Sequence, residues 1–194
     1  TSGNGRDGSL LNGAIWGSDG TRDSYVSFDG TDDRISTPFT YALSSQDNFT
    51  WAWWANMQSA PGVDAGAVMV GNRYPERTGN KYGFIKMTPA RAEFANADAS
   101  GDIDKYDYTD MTTNQWHHYA MVKEGTSYQL FVDGVAQGSP ETFAYNEGTA
   151  IPFLIGGDDN GTGRTGEHFQ GYIDDVVLYQ RALPSSDLLD VLNE

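Results

Sequence analysis

Apolar and polar residues alternate most regularly between Trp116 and Val135. In Ser127–Val132, Tyr128, Leu130 and Val132 fall on one side, with Gln129, Phe131 and then Asp133 on the other. A half-buried strand requires this, because successive side chains leave opposite faces of a sheet. Upstream, Trp116–Lys123 is rich in aromatic and β-branched types, and Glu124-Gly125-Thr126 supplies a reversal between the two segments. Asp133-Gly134 follows, a pair that accepts the positive φ of a type I′ turn. The pattern predicts two antiparallel strands and a second reversal.

A second alternating stretch, Asn48–Met57, puts Phe49, Trp51, Trp53, Ala55 and Met57 on one face. Thr50, Ala52, Trp54 and Asn56 take the other, and a strong central strand is predicted. Shorter strands are expected at Tyr25–Phe28 and Arg34–Thr37, around an Asp29–Asp33 turn, and at Ala67–Gly71. A hairpin of Tyr82–Met87 and Arg91–Ala97 and a strand at Phe153–Gly156 follow. Leu10, Leu11, Ile15 and Trp16 interrupt a Gly/Ser/Asp-rich opening, which points to an ordered first strand rather than a linker. Phe169–Tyr179 is apolar on both faces, as suits an interior strand. The polar stretch 72–80, the acidic run 98–110, residues 139–152 and the glycine-rich 157–167 read as loops. Only the end changes period: Pro184-Ser185-Ser186-Asp187 offers a proline and capping side chains, and Leu188, Leu189, Val191 and Leu192 make an apolar stripe. A helix this short is unstable alone, so it is expected to dock on the sheets.

Four motifs stand in order along these elements. They are Phe28-Asp29-Gly30-Thr31-Asp32-Asp33, then Trp116-His117-His118-Tyr119 leading to Leu130-Phe131-Val132-Asp133-Gly134. After these come Phe169-Gln170-Gly171-Tyr172-Ile173-Asp174-Asp175-Val176, and Tyr179 with Arg181-Ala182-Leu183. Together they resemble the laminin-G-like, concanavalin A-like jelly-roll modules, and Gly8-Ser9-Leu10-Leu11-Asn12-Gly13 is similar to the opening of many of them. The resemblance implies one domain over residues 1–194, an all-β jelly-roll sandwich of two antiparallel sheets with a short C-terminal helix. It also implies a setting. Such modules occur in calcium-dependent bacterial surface adhesins, where they bind glycans or peptide ends on another cell or matrix, and a non-catalytic module of this kind is the function expected here. Others are carbohydrate-binding appendages of secreted polysaccharide-degrading enzymes, and some members of the fold are glycoside hydrolases or lyases themselves.

Charge narrows the choice of partner. Twenty-seven acids face twelve bases, a formal net charge of −15, so nucleic acid and anionic membranes, which need a basic footprint, are excluded as partners. No apolar run is long enough to insert in a membrane. Self-repulsion of this size strains a folded state, and external salt or bound divalent cations relieve it. The absence of cysteine means that no disulfide staples the fold. A start at Thr1-Ser2-Gly3, with neither an initiator Met nor a signal peptide, reads as a monomeric module cut from a longer exported chain, extracellular or on a bacterial surface.

The acidic loops carry the candidate chemistry. Calcium takes six to eight oxygens from carboxylates, amides and carbonyls on flexible loops, so it is the expected cofactor. Asp98, Asp102 and Asp104 in one loop and Asp158, Asp159 and Asn160 in another are the candidate ligands. Asp29, with Asp32 and Asp33, forms a third cluster. It is expected near Asp174, because the terminal strands of a jelly roll are neighbours, and a structural ion between Asp29 and Asp174 competes with a plain turn. Arg73, Tyr74, Tyr108 and Arg164 are the candidate ligand-binding side chains, rings to stack on a sugar or grip a peptide and guanidinium groups to pair with ligand charge. Catalysis is not expected: hydrolases of this fold set paired acids at i and i+2 or i+4 on one strand, and no glutamate here has such a partner. His118 is expected to be a packed, hydrogen-bonded strand residue, and Trp51, Trp53 and Trp116 are expected in the core.

Overall fold

The computed structural model describes residues 7–41, 47–59, 67–72, 83–88, 91–96, 103–106, 113–142, 150–158 and 167–192. The strands are β1 (Ser9–Leu11), β2 (Ile15–Gly17), β3 (Tyr25–Asp29), β4 (Arg34–Tyr41), β5 (Phe49–Met57), β6 (Ala67–Asn72), β7 (Gly83–Thr88) and β8 (Arg91–Asn96). They continue with β9 (Ile103–Tyr106), β10 (Trp116–Glu124), β11 (Ser127–Val132), β12 (Val135–Ala136), β13 (Glu141–Thr142), β14 (Ile151–Ile155) and β15 (Gln170–Tyr179), and the chain closes with helix α1 (Ser185–Leu192). A seven-stranded sheet runs β1-β4-β14-β6-β7-β8-β9. An eight-stranded sheet runs β12-β11-β10-β5-β15-β3-β2, with β13 also on β11. Among the described residues, the pairings between these strands are all antiparallel.

The alternation of β5 decides the core. Trp51 and Trp53 are 3% and 0% exposed, and Trp53 stacks on Tyr119 of β10 with ring centroids 5.6 Å apart. The Trp53 indole N–H donates to the Met69 sulfur from the opposite sheet. Trp51 meets Phe153 edge-on at 5.2 Å, so aromatic rings fill the space between the sheets. Burying each such side chain stabilises the fold by roughly 1.5–3 kcal/mol.

The other face of β5 carries the helix. Ala52 and Ala120, small and fully buried, leave room for Leu183 and Leu188 to sit on the sheet. Thr50 Oγ1 fastens the approach, donating to the Arg181 carbonyl at 3.0 Å and accepting the Leu183 amide at 2.9 Å. Asp133 and Gly134 adopt φ of 49° and 75°, and Val132 pairs with Val135, so the expected two-residue reversal forms.

Two expectations are corrected. The run 98–110 contains a strand, β9, which completes the sheet by pairing Ala95 with Ile103 and Phe94 with Asp104. Its short, polar sequence hides a strand at the edge of the sheet. Trp116 is not in the core: Tyr119 and Met121 point inward from β10, so Trp116 and His118 point outward with Trp54 and Asn56.

Candidate functional site

Strand register puts the strand ends that lead into the candidate loops at two opposite ends of the sandwich. Asn72 pairs with Gly83, Gly83 with Asn96, and Ala95 with Ile103. The strand ends leading into 73–82 and 97–102 therefore share one end. Tyr106 lies beside Ala92, His168 beside Val68, and Leu154 beside Gly71. Those leading into 107–112 and 159–166 leave from the other end, about 17 Å away along β6.

That second end also carries the turn between β3 and β4, which joins the two sheets. Asp29 begins it: its Oδ1 accepts the Thr31 amide at 2.7 Å, while its own amide donates to Asp33 Oδ2 at 2.8 Å. Gly30, at φ 81°, makes the reversal. One carboxylate oxygen from each of Asp29, Asp32 and Asp33 lies within 4.8 Å of the other two. Asp29 and Asp32 are exposed, whereas Asp33 is 3% exposed. Asn12 Nδ2 donates to the Asp32 carbonyl at 3.0 Å and ties the β1–β2 crossing to this turn.

Beneath the turn lies a buried polar layer. Gly157 packs so closely on His168 Nδ1 and the Asp33 carbonyl that a Cβ there would sit 2.4 Å from the imidazole nitrogen. Burial lowers the His168 pKa. Asp158 is fully buried, and its Oδ1 accepts the Glu167 amide at 3.2 Å, closing the base of the 159–166 segment.

On the outward face of the eight-stranded sheet a guanidinium clamp covers the aromatic residues. Asp19 Oδ1 accepts the amides of Thr21 and Arg22 at 2.7 and 2.8 Å, which turns Arg22 over the sheet. Arg22 sits 4.2 Å above the Trp54 ring and 5.1 Å from Trp116. Its Nη1 donates to Asp174 at 2.7 Å and Asp175 at 2.8 Å. Trp116, Tyr25 and Tyr172 pack together beside it. His118, 2% exposed, lies against Trp54 at 5.4 Å, and its amide donates to Asp133 Oδ1 at 2.8 Å. Burial lowers its pKa as well.

The residues expected from sequence fall in three groups. Arg73, Tyr74, Asp98, Asp102, Tyr108, Asp159, Asn160 and Arg164 lie outside the described residues. Asp104 is not in a loop but on β9, for the reason given above. Asp158 is at the buried base of its loop rather than on its surface. Asp29 and Asp174 do not meet. β3 and β15 are neighbours as expected, but Asp29 pairs with Gln170, four residues or about 13 Å along the strand from Asp174. Arg22 takes Asp174 instead, a partner that no spacing in the sequence announces.

Two packed antiparallel sheets with this strand order define a jelly roll of the concanavalin A-like class. A family model described as the concanavalin A-like lectin/glucanases superfamily, of laminin-G type, matches residues 29–188, and the chain belongs to that family. The fold is similar to the botulinum neurotoxin serotype G binding domain, with TM-score 0.74 and 11% identity over 99% of this chain and 47% of that one. It is also similar to the binding domain of Paraclostridial Mosquitocidal Protein 1, with TM-score 0.73 and 16% identity over 99% and 48%. The chain thus spans about half the length of these toxin domains. Domain 4 of AbnA, a GH43 extracellular arabinanase from Geobacillus stearothermophilus solved with arabinotriose, matches over 98% of this chain and 91% of that one, with TM-score 0.72 and 17% identity. Among curated proteins no sequence matches.

Proposed function

We propose that the protein is a non-catalytic ligand-binding module of a secreted or surface-exposed protein, and that its ligand is a glycan. The observation that carries this reading is the end-to-end likeness to the arabinanase domain solved with a bound arabinotriose, a jelly roll of nearly the same extent. The receptor-binding toxin domains that share the fold support recognition rather than catalysis. A second reading, an adhesin module that grips a glycan or peptide end on another cell, draws on the −15 charge, which suits an exported chain that works with calcium. In both readings calcium, held by acidic loops, gives ligand oxygens a direct partner, and a net-acidic surface then tolerates an anionic ligand.

Calorimetric titration of the whole chain with arabino-oligosaccharides, other polysaccharide fragments and short peptides, in calcium and in EDTA, tests the reading. Binding of one glycan class without release of reducing ends is the expected result. Turnover abolished by replacing a single glutamate would establish an enzyme instead, and capture of peptides alone would favour the adhesin.

A further inference from the structure

We infer that Asp29, Asp32 and Asp33 form a calcium site that pins the β3–β4 turn across the two sheets. Geometry is the first argument. Calcium holds its oxygens at about 2.3–2.6 Å, so oxygens around one ion stand no more than about 5 Å apart. The three carboxylates, within 4.8 Å of one another, fit that shell. Carboxylates also suit calcium as hard, flexible donors, and the two exposed ones leave room for water to complete the coordination.

The second argument is Asp33 itself, independent of the clustering. It is 3% exposed, and while its Oδ2 accepts the Asp29 amide, its Oδ1 is buried with no hydrogen-bond donor. A buried carboxylate oxygen without a donor is costly, and a bound cation would relieve that cost. Gly13, at φ 140°, passes so close that a Cβ there would sit 2.7 Å from Asp33 Oδ1. The backbone of the β1–β2 crossing thus roofs the oxygen.

Position gives the site its consequence. β3 belongs to one sheet and β4 to the other, and Asn12 ties the crossing between β1 and β2 to the same turn. An ion here joins all four strands at one end of the sandwich and offsets two of the excess negative charges. The site uses none of the residues of the loops at 98–107 and 157–167, so it stands or falls apart from the ligand that the module recognises.

Calcium titration and thermal unfolding of the whole chain, after chelation, test this with Asp32→Asn, Asp33→Asn and the distant exposed Asp190→Asn as control. The parent and the control should melt higher in calcium, by roughly 5–10 °C at a hundredfold excess over Kd. Asp32→Asn and Asp33→Asn should each bind one ion fewer per chain and lose that shift. Asp32 is exposed, so its variant carries the test even if Asp33→Asn folds poorly. A parent indifferent to calcium, or an Asp32→Asn variant with unchanged stoichiometry and unchanged shift, overturns the site. So does an Asp33→Asn variant that is more stable than the parent with and without calcium, because Asp33 then needs only a proton.

Discussion

At the scale of single residues, burial decides what each polar group does. His118 and His168 are both held below the ordinary histidine value of 6.5, chiefly by burial. The unfolded chain therefore takes up protons more readily than the folded one. Their stabilising contribution is complete above pH 6.5 and is lost as the pH falls through that value towards the lowered folded ones. Melting temperature should drop between pH 7.5 and 5.5, and His118→Gln should flatten the drop; a profile identical to the parent's would contradict it. Without a bound cation Asp33 acts in the opposite sense, because burial raises its pKa: its contribution is complete only below the ordinary carboxylate value of 3.8. Burial also separates two tryptophans of equal size. Trp53→Ala should cost about 3–5 kcal/mol by leaving a cavity. Trp16→Ala, at 67% exposure, should stay within about 0.5 kcal/mol, as urea unfolding will show.

At the scale of elements, the segment between β2 and β3 is held down by Arg22. The Arg22–Asp174 pair has both side chains at 16% and 15% exposure, whereas Asp175 is 61% exposed. Exposed ion pairs contribute little, so the two contacts should differ in size. Arg22→Gln should cost about 1–3 kcal/mol, since it strands Asp174 and uncovers Trp54 and Trp116. Asp175→Asn should cost less than about 0.5 kcal/mol. Equal losses in denaturant unfolding would mean that the exposed partner anchors the clamp. The helix is an element of the same kind: α1 persists because Ala52 and Ala120 let Leu188 reach the sheet, not through intrinsic propensity.

At the scale of the whole molecule, charge sets the conditions of stability. Fifteen excess negative charges repel across a sandwich of this size. Raising ionic strength from 0.01 to 1 M shortens the screening length from about 30 to 3 Å. With EDTA present, the melting temperature should therefore climb with sodium chloride. A melt insensitive to salt would show that opposite charges are already well placed, as they are around Arg22.

Period-two alternation made the core legible from sequence. Phe49, Trp51 and Trp53 could only share a face, and the turn at Asp133-Gly134 followed from two residues that tolerate positive φ. Family membership was legible for a related reason: its motifs are turns and strand ends with local rules. What local rules do not contain is which distant strands become neighbours and in what register. Sequence hides β9 because Ile103–Tyr106 is short and polar and shows no apolar alternation. Sequence alone does not place Trp116, because both faces of β10 carry apolar residues and only its register against β5 separates core from clamp. Asp29 sits by Asp33 through a five-residue turn that sequence could suggest. Its separation from Asp174, the capture of Asp174 by Arg22 and the burial of Asp33 under Gly13 depend on strand pairing. Carboxylate chemistry is written in residue type, but whether a carboxylate meets water, a guanidinium or a cation is decided by what the folded sheets bring against it.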